Sequence, residues 1–229
     1  LPYILKQINV PIYATKLTLG IIEGKLKEHK LLSSANLNVV KAGDTVKLGK
    51  FSVEFIHVNH SIPDAVGFAI TSPAGTVIHT GDFKIDTTPI DGQVIDLARI
   101  GELGNRGILA MLADSTNAER PGYTMSEKVV GESFQNLFKK AGKNRIIIAT
   151  FSSNIHRIQQ IIDEAVRCTR KVAVLGRSMI NVVSVASELG YLNVPDGVLI
   201  SIDMIASRSS ECSSGSNGLS IILYLCAFV

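Results

Sequence analysis

Thr80-Gly81-Asp82-Phe83-Lys84 closes the apolar run Val77-Ile78-His79, and Asn59-His60-Ser61-Ile62-Pro63-Asp64 lies just after a second strand-like run, Phe51 to His57. Each segment ends a predicted β-strand and presents one metal donor. A carboxylate such as Asp82 can bridge two cations, and a neutral imidazole such as His60 fills one position on one of them. Gly81 lets backbone approach closely beside Asp82. Taken singly, both have plainer readings: Gly-Asp is a common turn, and a histidine before Ser-x-Pro can cap a loop. His57 and His79 fall within strand alternation, where a core or supporting role fits better than ligation.

Upstream, Pro11 to Ala14 is a short predicted strand, and Leu17 to His29 has the helical spacing Leu17, Ile21, Ile22, Leu26. Three runs then carry apolar residues at alternate positions: Leu37 and Val39, Val46 and Leu48, and Phe51, Val53 and Phe55. Val66 to Thr71 and Thr76 to His79 flank Ser72-Pro73-Ala74-Gly75, a hairpin turn. This half is a set of local hairpins.

Past Arg106 the rhythm changes. Ile108 to Ala113 is a continuous apolar strand of the kind found inside a sheet. Helices are expected at Thr124 to Ala141, Ile155 to Arg167 and about Ser178 to Leu189, with Ser126 as a candidate cap for the first. Buried strands at Arg145 to Thr150 and Lys171 to Leu175 separate them. Alternation at this spacing predicts right-handed βαβ units and a parallel sheet, so two architectures meet near Gly122.

The 229 residues are 46% hydrophobic and 19% charged, enough for a substantial core. A formal charge of +3 is too small to argue for nucleic-acid binding by itself. Cys168, Cys212 and Cys226 are too scattered for a disulfide framework or a zinc ribbon, which suits a reducing cytoplasm. Cys168 reads as a helix residue packed on the core. Leu1 to Gln7 has neither an initiator Met nor a signal peptide's regions and resembles the middle of a helix. Ser, Gly and Asn dominate residues 207–220, and Ile221 to Val229 is almost wholly apolar but far too short to span a bilayer. Non-native sequence from a shifted reading frame is the leading expectation for this tail; a buried terminal strand is the alternative.

Three further junctions carry polar residues between a strand and the next segment. Asp114-Ser115-Thr116-Asn117 follows the strand that opens the second architecture, where side chains commonly face a site; an Asx turn is the plain alternative. Ser152, Ser153, Asn154, His156 and Arg157 surround a helix start, as do Gly176-Arg177-Ser178 at the next unit. Hydroxyls and free N–H groups at such starts suit phosphate or a nucleic-acid backbone. Each alone is an ordinary helix cap.

Five segments in this order resemble the ribonuclease J family, of the β-CASP branch of the metallo-β-lactamase superfamily. They are His60 to Asp64, Thr80 to Lys84, Ala113 to Asn117, Thr150 to Arg157 and Gly176 to Met179. The resemblance covers about residues 1–203 and implies an α/β fold. Residues 1–122 would be a partial metallo-β-lactamase domain of the αββα-sandwich type, with an inserted, partial β-CASP domain of parallel βαβ units at 123–203. Residues 204–229 would be a tail unlike the family.

The resemblance makes His60 a metal ligand, Asp82 the carboxylate bridging two metals, and Asp114 an acidic group supporting a ligand or proton transfer. It places Ser153, His156 and Arg157 near a pocket for an RNA 5′ phosphate. It implies two zinc ions, or manganese, and hydrolysis of RNA by 5′-to-3′ exonuclease and endonuclease action. It also implies 5′-monophosphorylated RNA as substrate, a homo-oligomer when intact, a cytoplasmic location and no membrane. The family's His-x-His-x-Asp-His motif is absent from these 229 residues, as are its later histidine motifs. The chain is therefore expected to be an inactive fragment of a metalloenzyme. The alternatives are a non-catalytic RNA-binding module and another hydrolase of the metallo-β-lactamase fold.

Overall fold

A computed structural model describes residues 1–204 and the backbone of 220–225. The chain divides into two units, Leu1–Ser126 and Glu127–Val229.

The first unit contains α1 (Pro2–Leu5), β1 (Ile12–Ala14), α2 (Lys16–Glu28), β2 (Leu37–Val39), β3 (Thr45–Leu48), β4 (Phe51–His57), β5 (Val66–Ser72), β6 (Gly75–His79), α3 (Leu97–Arg106) and β7 (Ala110–Leu112). β1 and β2 form a parallel pair, while the other strands make one sheet in the order β3-β4-β5-β6-β7. β3 to β6 are antiparallel neighbours, as their short turns require, and β7 joins parallel to β6. Alternation sends Ile56, Ala69 and Ile78 to one face, where Leu103 of α3 completes a buried cluster with Ile100 and Ile108 packed on it. Phe55 and Phe68 lie on the opposite face with rings edge to face, 5.5 Å between centroids.

Two features of this unit differ from the sequence expectation. β7 is an edge strand rather than a buried one: Leu109, Met111 and Leu112 are all exposed, because β6 is its sole sheet neighbour among the described residues. The helix α3 is additional. Asp96 caps it by accepting the Arg99 amide at 2.9 Å, and Ile100 and Leu103 supply its inward face.

The second unit runs α4 (Glu127–Ala141), β8 (Ile146–Thr150), α5 (Ile155–Arg167), β9 (Lys171–Leu175), α6 (Arg177–Glu188), β10 (Leu199–Ile200) and β11 (Ser220–Leu225). All four strands are parallel, in the order β10-β9-β11-β8. Ile155, Ile158, Ile161, Ile162 and Ala165 of α5 are fully buried along one stripe, as are Met179, Val182, Val183 and Ala186 of α6. Truncating Ile158 to Ala would cost about 2–5 kcal/mol. α4 begins at Glu127, three residues after the expected start, and its Leu137 is exposed while Phe134 and Phe138 are buried. Ser126 donates its hydroxyl to the Thr88 carbonyl at 2.9 Å.

The apolar run after Ser220 pairs as β11 between β9 and β8, which is the strand alternative of the two readings of the tail. The Ser-rich stretch before it and residues 226–229 lie outside the described residues. The architecture is mixed α/β with parallel and antiparallel sheets, in line with the fold the sequence resemblance implies.

Candidate functional site

In the first unit, three loops leave the same end of the five-stranded sheet. The loop after β4 carries His60, the loop after β6 carries Asp82, and the segment after β7 carries Asp114. Backbone bonds lace them together: the Lys84 amide donates to the Asn59 carbonyl at 2.8 Å, and the Thr80 amide donates to the Leu112 carbonyl at 3.0 Å. His60 Nε2 stands 3.9 Å from Asp82 Oδ2. The Phe83 amide and His60 both lie close enough to the Asp114 carboxylate to act on its charge. So His60, Asp82 and Asp114 converge.

Each partner is held by neighbours to which the sequence reading gave no role of their own. Buried Asn59 accepts the Ile95 amide at 2.8 Å and donates to the Gln93 carbonyl, fixing the start of the His60 loop. Buried Thr80 accepts the Asp114 amide at 3.1 Å and donates to the Gly81 carbonyl at 2.8 Å. His79 Nδ1 accepts the Gly81 amide at 3.0 Å, a supporting role consistent with its exposed ring. Gly81 has φ +63, a conformation that glycine adopts without strain. The Asn59 bonds and the Thr80–Asp114 bond span more than thirty residues and leave no local sign in the sequence.

Asp114 makes an Asx turn, accepting both the amide and the hydroxyl of Thr116. The Thr116 hydroxyl, then its amide, the Phe83 amide and the His60 charge hold the Asp114 carboxyl below the usual carboxylate range, against a smaller effect of desolvation. It is ionised at neutral pH and accepts rather than donates. The turn and the site-facing position, alternatives in the sequence, coexist here.

An open cleft of about 250 Å³ runs from His60 and Asp82 past Tyr13, Thr15 and Thr18 to Phe55 and Phe68. Zinc bonds to nitrogen or oxygen are about 2.0–2.2 Å long, so a 3.9 Å gap is one that two such bonds can span. Two donors fall short of the three or four protein ligands that hold zinc firmly. Among the described residues no group of three or more His, Cys, Asp or Glu side chains is placed to hold one ion. The residues present thus offer part of a donor set and do not by themselves fit a metal centre.

In the second unit, the strand-to-helix junctions at β8–α5 and β9–α6 are linked by a hydrogen bond between the Ser152 and Ser178 hydroxyls at 3.2 Å. Ser153 is exposed in the turn before α5, and Asn154 caps that helix by accepting the Arg157 amide at 3.1 Å. His156 lies in the first turn, half-buried. Arg157 does not stand free beside the junction: its Nη2 donates to Glu127 Oε1 at 2.8 Å. Ser152, which links the junctions, is a better-placed hydroxyl than the sequence suggested.

The fold and these loops are consistent with the β-CASP branch of the metallo-β-lactamase superfamily that the sequence resembles. Residues 143–217 match the family model "Ribonuclease J, beta-CASP domain". The chain is 43% identical over 222 residues to ribonuclease J of Helicobacter pylori strain J99, an alignment covering 95% of this chain and 32% of that protein. It is 45% identical over 203 residues to ribonuclease J of Thermus thermophilus, covering 86% of this chain and 35% of the relative. The chain is similar to ribonuclease J over most of its own length and spans about a third of the length of the curated relatives it matches. A crystal structure of a protein of unknown function from Enterococcus faecalis V583 shares the fold, with a TM-score of 0.64 at 15% identity over 96% of this chain and 53% of that one. Among the described residues no helix is long and apolar enough to cross a membrane.

Proposed function

We propose that this chain is part of a ribonuclease J-type, metal-dependent RNA phosphodiester hydrolase, and that alone it does not cleave RNA. The convergence of His60, Asp82 and Asp114 carries this reading. His60 and Asp82 are its metal-facing donors, within a centre proposed to hold two zinc ions, or manganese, with its other donors outside this chain. Asp114, kept ionised chiefly by Thr116, is the acidic group beside His60 that supports a ligand or a proton transfer. Ser153 and His156, at the start of α5, bind substrate phosphate, with Arg157 shaping that turn through Glu127.

The substrate is proposed to be RNA, 5′-monophosphorylated for exonucleolytic action, in a cytoplasmic protein that forms a homo-oligomer when whole. Residues 1–122 are assigned to the metallo-β-lactamase domain and 123–203 to the β-CASP domain. One observation favours a second reading, an RNA-binding module without catalysis: the described residues contain no trio of metal donors.

A chimera decides between them. Residues 1–203 replace the matching stretch of Helicobacter pylori ribonuclease J, and hydrolysis of 5′-monophosphorylated RNA is followed with zinc or manganese present. The expected result is cleavage that His60→Ala or Asp82→Asn abolishes. A folded chimera that binds RNA without cutting it would favour the module, and cleavage surviving both substitutions would remove these residues from the site.

A further inference from the structure

Between Glu132 and Asp163 the chain has no acidic residue, yet Lys139, Lys140, Lys143 and Arg145 fall within seven positions of one another. All four are exposed, at the end of α4 and in the turn leading into β8. None has an ion-pair partner among the described residues, whereas Lys25, Lys84, Arg99, Arg157 and Arg167 each do. Like charges crowded this closely repel one another, a cost with no internal compensation.

The turn that gathers them is nonetheless firmly held. The Gly142 amide donates to the Lys139 carbonyl at 3.2 Å, and the Asn144 amide to the Ala141 carbonyl at 2.8 Å. Arg170, 2% exposed, donates through Nη1 to the Asn144 carbonyl at 3.0 Å and through Nη2 to the Gly142 carbonyl. Its guanidinium also lies 5.8 Å from the centroid of the Phe138 ring. A buried arginine is thus committed to fixing a turn whose four basic residues are exposed to solvent. A merely solvated face would need no such clamp.

The register places this turn relative to the phosphate-facing junctions. Ile146 pairs with Ile221, which pairs with Val172, so Arg145 and Lys171 stand at the same end of the parallel sheet, on strands separated by β11. Ser152 and Ser178 lie at the opposite end. Five residues of strand separate the two ends by about 16 Å, too far for one phosphate to touch both.

We infer that the Lys139–Arg145 turn is a second docking point for the phosphate backbone of RNA, away from the strand-end junctions. It would hold a part of the substrate distant from its reacting end. This rests on the reading of the chain as part of an RNA-acting protein.

The test is binding of the 229-residue chain to a fluorescently labelled single-stranded RNA, by anisotropy, across a salt series. Each single-strand phosphate contact contributes about 0.7 to the slope of log affinity against log salt concentration. Lys140→Ala/Lys143→Ala/Arg145→Ala should therefore weaken binding at least about tenfold at low salt and flatten the slope by about 2. The control Lys27→Ala/Lys47→Ala/Lys50→Ala removes the same charge from exposed positions of the other unit and should leave the slope unchanged. A thermal melt by circular dichroism checks that each variant is folded. If the wild type binds and the turn variant matches it, or both triple variants weaken binding alike, the docking point is overturned while the enzyme reading stands. If the wild type binds no RNA at low salt, the docking point falls together with the RNA-binding role assigned to this unit.

Discussion

Asp64 Oδ2 accepts the Leu17 amide at 3.3 Å, and Oδ1 accepts the Thr15 hydroxyl at 3.0 Å, so the loop carrying His60 is pinned to the first turn of α2. Thr15, at the cap position, gives α2 no side-chain cap of its own; the carboxylate arrives from a distant loop. Asp64 also sits at φ +56, a conformation that aspartate and asparagine tolerate better than most residues. Asp64→Ala should cost about 1–2 kcal/mol, the range for a lost helix cap, while Asp64→Asn should cost less. Urea midpoints give the order, and equal losses would show that the carboxylate itself, rather than the backbone conformation, is responsible.

Gly67 controls the approach of β5 to the Asp82 turn. A β-carbon there would lie 2.8 Å from the Thr80 carbonyl oxygen and 3.0 Å from that of His79. Both obstacles are backbone, so they cannot swing aside. Gly67→Ala is expected to destabilise by about 1–3 kcal/mol and to shift the Gly81 and Asp82 amide resonances. Unchanged resonances would mean that the strand, rather than the turn, yields.

Arg99 grips Glu54 with two hydrogen bonds, Nε to Oε1 at 2.7 Å and Nη2 to Oε2 at 2.9 Å. Those bonds, outweighing desolvation, hold the Glu54 carboxyl below its ordinary range. A depressed carboxylate adds stability that is complete above the unfolded-state value, roughly pH 4, and is lost as pH falls through the folded one. Arg99→Met should cost about 1–2 kcal/mol at pH 7 and flatten the acid limb of the stability profile. Parallel wild-type and variant profiles below pH 5 would contradict the linkage.

Zinc titration of the isolated chain should give only weak, chelator-reversible binding, because His60 and Asp82 provide two donors. His60→Ala should abolish even that. Submicromolar affinity for two ions, with RNA hydrolysis, would refute the view of the chain as inactive alone.

Much of this fold was legible because its pairings are local. The Ser72 to Gly75 turn and the alternation in β4 to β6 announce a meander, and the isoleucine stripe of α5 announces its helix. α3 was hidden by Gly101 and Gly104, which lower helix propensity, although Asp96 and the spacing of Ile100 and Leu103 were a usable signal. β7 was misjudged because composition marks a strand as apolar without saying whether it has neighbours. At the site, strand ends exposed His60, Asp82 and Asp114. Asp64, Asn59 and Thr80 stood within the quoted motifs without an assigned role, because their supporting bonds reach across many residues, and Arg157's pairing with Glu127 likewise has no local signature.

The position of β11 also governs the order in which the second unit can assemble. β8 and β9 are never hydrogen-bonded to each other; each waits for a strand whose register partners lie roughly 75 residues beyond Ile146. During synthesis α4, α5 and α6 can form and collapse early, but β8 stays apart from the β9–β10 pair until β11 threads between them. Loss of β11 would remove the seam of this sheet, leaving two open strand edges ready to capture strands from other molecules.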